Sequence, residues 1–363
     1  MTSWATAYDV ASRMGLIDRL AAQQIPFEAL VYVNQKGKRI AKLDAALIRN
    51  VTDGKYMALM HSALEEGLYE ALAGHVEVCF GRSLTHIVSG SDAVVVTFND
   101  GTTESFDLLI GADGVYSTTR ALVFGPEDQF SRYLGYTIAC YPLADRYGIG
   151  RSSSCMSSRG RAVAAYCTPQ ADQILTFFMY RTVQQEHLPR EQRLPRLQGV
   201  FGGMGWLTQQ FLADVILSAS VFMDAVLQIQ MPSWHQGRVA LVGDACDCPT
   251  LLSGQGASLA MGGAYLLAHA LQETVDYPQA FRRYEQQLFA TVQAQQKSGR
   301  GFAKFFVPGS PLGLAVQRTM MGVLLRPAFR GLLRRQFEAE SVLSLQDAKP
   351  TQQAVQQEGL PYS

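Results

Sequence analysis

Apolar side chains recur at spacings of three and four over residues 8–23, at Val10, Met14, Ile17, Leu20 and Ala21. That spacing predicts an amphipathic helix. Residues 27–43 change texture to two β-rich runs around Asn34, Gln35, Lys36 and Gly37, which predicts a hairpin. A second helical stripe, Leu59, Leu64, Leu68 and Leu72, runs through residues 57–73. Short strands are expected at 76–80, 84–88 and 93–98, and Asn99, Asp100 and Gly101 supply a turn that closes a hairpin. Residues 106–110 are almost continuously apolar, as expected of a parallel strand covered on both faces.

Between residues 126 and 232 the pattern is different. Strand-like stretches at 162–167, 173–180 and 227–231 and a glycine-rich bend at 199–205 occur without helix-strand alternation, so a mostly antiparallel sheet is expected. From Arg238 the parallel-sheet texture returns: an apolar strand at 238–242, a glycine-rich turn, a helix to about residue 271 and another over 277–297. Strand-turn-helix units at both ends with a β-rich insertion between them imply an α/β fold with an α+β insertion and a discontinuous nucleotide-binding domain. That domain is expected at 1–25, 56–125 and 233–300, the substrate-binding domain at 26–55 and 126–232, C-terminal helices at 301–340, and a disordered Gln-rich tail at 341–363.

Charge removes one class of function. Lys plus Arg and Asp plus Glu both total 31, and a chain without net charge has no general electrostatic pull on nucleic acid. No apolar run approaches the roughly 18 residues of a membrane span, so no transmembrane segment is expected. The basic amphipathic stretch 301–337 is read as a helix pair packed on the domain rather than a segment lying on a membrane. The six cysteines are scattered and the first residues form no secretory leader, which points to reduced thiols and a cytoplasmic protein. Cys246 and Cys248 flank Asp247 without a second ligand pair, so no metal is expected.

Two clusters carry candidate chemistry. In the first, the 106–110 run ends in Gly111, Ala112, Asp113 and Gly114, and Arg120 follows as a helix begins. Glycines at the carboxyl end of a strand allow a tight turn and close approach to a phosphate; Asp113 can accept from hydroxyls or amides, and Arg120 is placed to meet a phosphate. A turn that needs Gly and Asp for geometry alone fits the same string. In the second, an apolar strand ends in Gly243 and Asp244, Pro249 stiffens the loop, and Gly254, Gln255, Gly256 and Ala257 open a helix. The free amides at that helix start suit an anion, and Asp244 can accept from sugar hydroxyls. Gly262 and Gly263 lie inside the helix, which implies close packing there.

The pair of clusters resembles the two C-terminal flavin motifs of the para-hydroxybenzoate hydroxylase family, the group A flavoprotein monooxygenases. It looks closest to the branch of tetracycline-inactivating and related antibiotic-modifying enzymes. Their order, their separation of about 130 residues and the β-rich insertion agree with it, over roughly residues 8–335. The resemblance implies an FAD/NAD(P)-binding Rossmann-like domain and a mostly antiparallel substrate domain. It implies FAD as cofactor, NADH or NADPH as co-substrate, and transfer of one atom of O2 to an aromatic or polycyclic small molecule. Asp113 and Gly114 would lie near the pyrophosphate and NAD(P)H, Asp244 on the flavin's sugar-alcohol chain, and residues 254–257 against the isoalloxazine. The cofactor does the hard chemistry, so no catalytic side chain is named.

The chain departs from this pattern at its start. The family opens with a strand, a Gly-x-Gly-x-x-Gly turn and a helix, and here Gly148 and Gly150 are followed by Arg151 inside the insertion. The Rossmann-like domain is therefore expected to be N-terminally truncated by about 30 residues or more, to bind flavin weakly and to expose an apolar edge. His61 stands where the family has an arginine contacting FAD, and neutral His lacks the bidentate fork of Arg; a surface His with no cofactor role is the other reading. The alternative function is a flavin-free relative acting as a binding protein. A flavin halogenase is disfavoured because Trp4, Trp206 and Trp234 stand far apart, and no hydrolase or phosphate-loop motif is present.

Overall fold

A short strand, β1 (Thr2–Trp4), leads into the first apolar stripe, which folds as two helices, α1 (Ala5–Arg13) and α2 (Ile17–Ala22). Gly15 at φ 70° makes the break between them, in a backbone region that a side chain penalises. This computed structural model describes residues 2–52, 54–72, 74–215 and 221–324. Residues 325–340 of the expected C-terminal helical region and the tail at 341–363 lie outside the described residues.

The expected hairpin forms from β2 (Ala29–Val33) and β3 (Arg39–Asp44). Asn34 Oδ1 accepts from the amides of Lys36 and Lys38 at 2.9 and 3.0 Å and holds its turn. A helix that the apolar pattern did not announce, α3 (Ala45–Val51), precedes β4 (Tyr56–Ala58), which pairs antiparallel with β1. The second stripe becomes α4 (His61–Ala71). The strand expected at 76–80 does not form: Val76, Val78 and Phe80 are exposed and pair with no described strand. Alternation alone cannot create a strand without a neighbour to accept its hydrogen bonds.

β5 (Leu84–Ser89), β6 (Val94–Phe98) and β7 (Thr103–Phe106) make an antiparallel sheet, with the Asn99–Gly101 turn closing its second hairpin. β8 (Leu109–Gly111) and α5 (Thr118–Val123) follow. The apolar run at 106–110 is thus divided between two sheets. β8 is an edge strand of its sheet and leaves Ile110 37% exposed, so it is not covered on both faces as expected.

The insertion contributes β9 (Ser131–Ala144), β10 (Ser152–Ser158), β11 (Arg161–Cys167), β12 (Gln173–Arg181), α6 (Arg190–Phe201), α7 (Thr208–Ala213) and β13 (Phe222–Ile229). Its strands join the first hairpin in a seven-stranded sheet ordered β13-β9-β12-β11-β10-β2-β3. Every pairing is antiparallel except β10 with β2. One face, with Tyr141, Phe178 and Tyr180, packs under Phe201 and Phe211 of α6 and α7. Each aromatic ring buried there contributes on the order of 2 kcal/mol. The other face meets the end of the long C-terminal helix.

The last part holds β14 (His235–Gln236), β15 (Val239–Leu241), α8 (Gly256–Glu273), α9 (Tyr277–Phe306) and α10 (Pro311–Leu324). Asp276 Oδ1 accepts from the Gln279 amide and Pro278 sits in the first turn, so α9 starts where a cap and a proline coincide. A Cβ on Gly263 of α8 would stand 3.2 Å from Leu288 and 3.5 Å from Tyr284 of α9, the close packing that its glycine implied. The end of α9 places Ala303, Phe306 and Val307 against Ile138 and Met179 of the large sheet. No described helix is long and apolar enough to cross a membrane.

Candidate functional site

The two glycine-acid clusters leave adjacent strands. β8 and β15 run parallel, with Ile110 opposite Ala240 and Gly111 opposite Leu241, and the Val242 amide donates to Gly111 O at 3.0 Å. A Cβ at Gly111 would lie 2.6 Å from Leu241 Cδ2 and 2.8 Å from Thr119 Cγ2, so only glycine permits this approach. Asp113 and Asp244 therefore stand at the same carboxyl edge, where parallel sheets present ligand sites.

Within that edge the residues have different tasks. Asp113 accepts from Ser117 Oγ at 2.5 Å, the Thr119 amide at 2.8 Å and Thr119 Oγ1 at 3.0 Å. Its carboxylate thereby ties the Gly114 turn (φ 78°) to the start of α5. Arg120 does not face an open phosphate position. It is fully buried, and its Nη1 and Nη2 donate to Ala245 O and Val115 O, each at 2.8 Å. The guanidinium stitches the first loop to the second, because a buried cation needs acceptors and these two carbonyls supply them.

In the second cluster, Asp244 is the most exposed residue from Val239 to Thr250, all the others being buried. Burial pushes its carboxyl above the ordinary range, and the charge of nearby His61 opposes that shift. Gly243, at φ 61°, brings the loop against α8, where a Cβ would stand 3.0 Å from Ala260 Cβ. Pro249 O accepts from Gln228 Nε2 at 2.8 Å, and Gly254 is left-handed at φ 66°. Gln255 is the N-cap of α8 and makes no side-chain cap bond, so the first-turn amides of this 18-residue helix are not capped by it. A Cβ at Gly256 would sit 3.7 Å from Asp244 Oδ1, in the approach to that carboxylate. Ala257 packs against the apolar cluster that includes Leu59 and Leu64. His61 opens α4, largely exposed, with Nδ1 2.9 Å from Glu65 Oε1.

An acceptor carboxylate, a helix start whose N-cap side chain makes no cap bond, and glycines that keep Cβ atoms out of the space between them fit the sugar-alcohol chain and ring edge of a flavin. Three further residues carry no sequence signal of their own. Leu252, in the turn before Gly254, joins Phe177, Ile138 and Met179 on the face of the large sheet. Tyr116 donates its hydroxyl hydrogen to Asp224 of β13. Asp247 is buried with both carboxyl oxygens unpartnered among the described residues. An Asp between two cysteines suggests only a metal when read locally; its burial depends on distant residues.

The comparisons agree with this geometry. No family model matches the chain. A flavin-dependent monooxygenase from an unknown prokaryotic organism is 32% identical over 304 residues, which cover 83% of this chain and 78% of that relative. A flavin-dependent monooxygenase of Legionella longbeachae serogroup 1 (strain NSW150) is 30% identical over 304 residues, again 83% and 78% of the two chains. Among solved structures, tetracycline destructase Tet(51) has a TM-score of 0.72 at 26% identity, covering 89% of this chain and 86% of its own. Klebsiella pneumoniae HpxO complexed with FAD and uric acid has a TM-score of 0.79 at 22% identity, covering 93% and 87%, a likeness of fold. With an acid-tipped pair of parallel strands beside an open helix start, and relatives of this similarity along most of its length, the chain belongs to the flavin-dependent monooxygenases.

Proposed function

We propose that this chain binds FAD with its ring half against the start of α8 and uses NADH or NADPH and O2 to insert one oxygen atom into an aromatic or polycyclic molecule. The observation that carries the reading is the position of Asp244, the most exposed residue of its loop, beside Gly256 at the start of α8, where the N-cap side chain makes no cap bond. Bound flavin supplies the redox chemistry and oxygen activation. The chain's residues do the rest. Asp244 accepts from the sugar-alcohol hydroxyls, Gly243 and Pro249 hold its loop in place, and residues 254–257 offer amides to the charged edge of the ring. Asp113 and Gly114 shape the turn where the pyrophosphate and nicotinamide nucleotide approach. His61 lies near Asp244 and offers a weaker contact than an arginine.

The substrate, on this reading, lies between the helix start and the face of the large sheet that Leu252 touches. The half-buried Tyr166 and Phe177, edge to face with ring centroids 6.0 Å apart, are its aromatic wall. Residues 1–25, 56–125 and 233–300 form the FAD-binding unit, and 26–55 with 126–232 the substrate unit. The flavin-free alternative is not favoured, because relatives about 30% identical along most of the chain bear flavin-dependent names.

The test is FAD titration of the purified chain, followed by its visible spectrum, with NAD(P)H oxidation assayed alongside. Asp244→Ala removes an acceptor for hydroxyls and is expected to raise the Kd for FAD about 10- to 100-fold, in line with one or two lost bonds to a charged group. Unchanged affinity in that variant would overturn the placement of the cofactor.

A further inference from the structure

A pocket of about 400 Å³ opens on the molecule between β13 and α9, behind the Asp244 loop, which reaches it only through Cys246. Its floor is made of buried Ile229, Met231, Trp234 and Val292, with half-buried Phe289 beside them, and Gln230, Gln293 and Gln296 share the lining. Its rim is cationic: Arg132, Lys297 and Arg300 line it, and no Asp or Glu does. None of the three has a carboxylate partner among the described residues, whereas other arginines of the chain, such as Arg19 and Arg196, do. Three cations without a carboxylate partner among the described residues thus gather around one cavity.

Arg300 is also held in position. Its Nη1 donates to Gln228 Oε1 at 2.9 Å, while Gln228 Nε2 donates to Pro249 O at 2.8 Å and Gln296 O at 2.7 Å. Gln296 Nε2 in turn donates to Ile229 O at 2.7 Å. This buried amide network fixes one edge of the guanidinium and leaves its remaining donors for a ligand, the arrangement that suits bidentate binding of a carboxylate or phosphate. Three cations converging on one concave space suit the head group of a small anion.

We propose that this pocket is a second binding site, separate from the flavin crevice, for a small organic anion with a carboxylate or phosphate head. The head meets Arg300, Arg132 and Lys297, and half-buried Phe289 is the apolar contact beside it. The charges make the site selective, because like-sized neutral molecules gain only the apolar contact.

Titration calorimetry on the full chain with 2-naphthoate, 1-naphthyl phosphate and neutral 2-naphthamide tests this, and it needs no bound flavin. Saturable binding of either anion is expected, at least tenfold tighter than the amide and weakening as salt rises. The tighter of the two anions identifies the head group. The variant Arg132→Gln/Lys297→Gln, which changes two exposed side chains, is expected to lose at least tenfold in anion affinity while its Tm and its FAD titration stay as in the parent. Equal affinity for the amide, unchanged anion affinity in the variant, or no binding of either anion at millimolar concentration would each overturn the proposal.

Discussion

Asp247 shows how far a residue's surroundings can depart from its type. It is 1% exposed, both oxygens lack partners among the described residues, and burial, with Asp244 adding its charge, pushes its carboxyl well above the ordinary range. A carboxyl whose folded pKa lies above its unfolded value contributes nothing adverse at acid pH and costs stability as pH rises towards the folded pKa. The uncharged near-isostere Asp247→Asn escapes that cost. The Tm of the variant minus that of the parent is therefore expected to grow between pH 5 and pH 8, and a difference that stays constant would show that Asp247 does not titrate in this way. At this scale the sequence was informative where the signal is local. Glycines and an acid at the end of an apolar run marked Gly111, Asp113, Gly243 and Asp244, and the structure places them at one edge. Arg120 was misread because its fate depends on Ala245, 125 positions away, whose carbonyl it serves.

The elements that could be read ahead were those with long periodic patterns or explicit stops. The helices α8 and α9 and the hairpin β2–β3 carry such patterns. β10 does not: Ser152, Ser153 and Ser154 give it no apolar alternation, and only its neighbours β11 and β2 make it a strand. α6 is obscured by Pro195 and its charged residues. One contact between elements carries a clear prediction. A Cβ at Gly299 of α9 would stand 2.5 Å from Thr250 Cγ2 and 3.0 Å from Pro249 O. Thr250 is already at φ 110°, an unfavourable backbone for a β-branched residue. Gly299→Ala must push this loop, at a cost of about 1–3 kcal/mol, and is expected to lower both the denaturation midpoint and the affinity for FAD. A variant as stable as the parent would mean that the loop yields freely.

Across the whole molecule, the first flavin-type loop is joined to the large sheet by the hydrogen bond from Tyr116 to Asp224. Tyr116→Phe removes it for roughly 0.5–1.5 kcal/mol, and faster exchange of the β13 amides is the expected sign that the two parts are less firmly joined; unchanged exchange would assign the bond no such role. The alternation of helix and strand gave the two kinds of sheet in outline, but not which strands meet, since pairing partners far apart in sequence leave no periodic trace. The parallel pairing of β2 with β10 is the clearest case, with Ala29 opposite Ser152. On the ribosome, at about 5–20 residues per second, the hairpin at 29–44 emerges many seconds before the strand that will flank it. Throughout that interval it presents an open β edge, so the nascent chain is most exposed to misassociation early in its synthesis, and slower translation over residues 45–150 would lengthen that window.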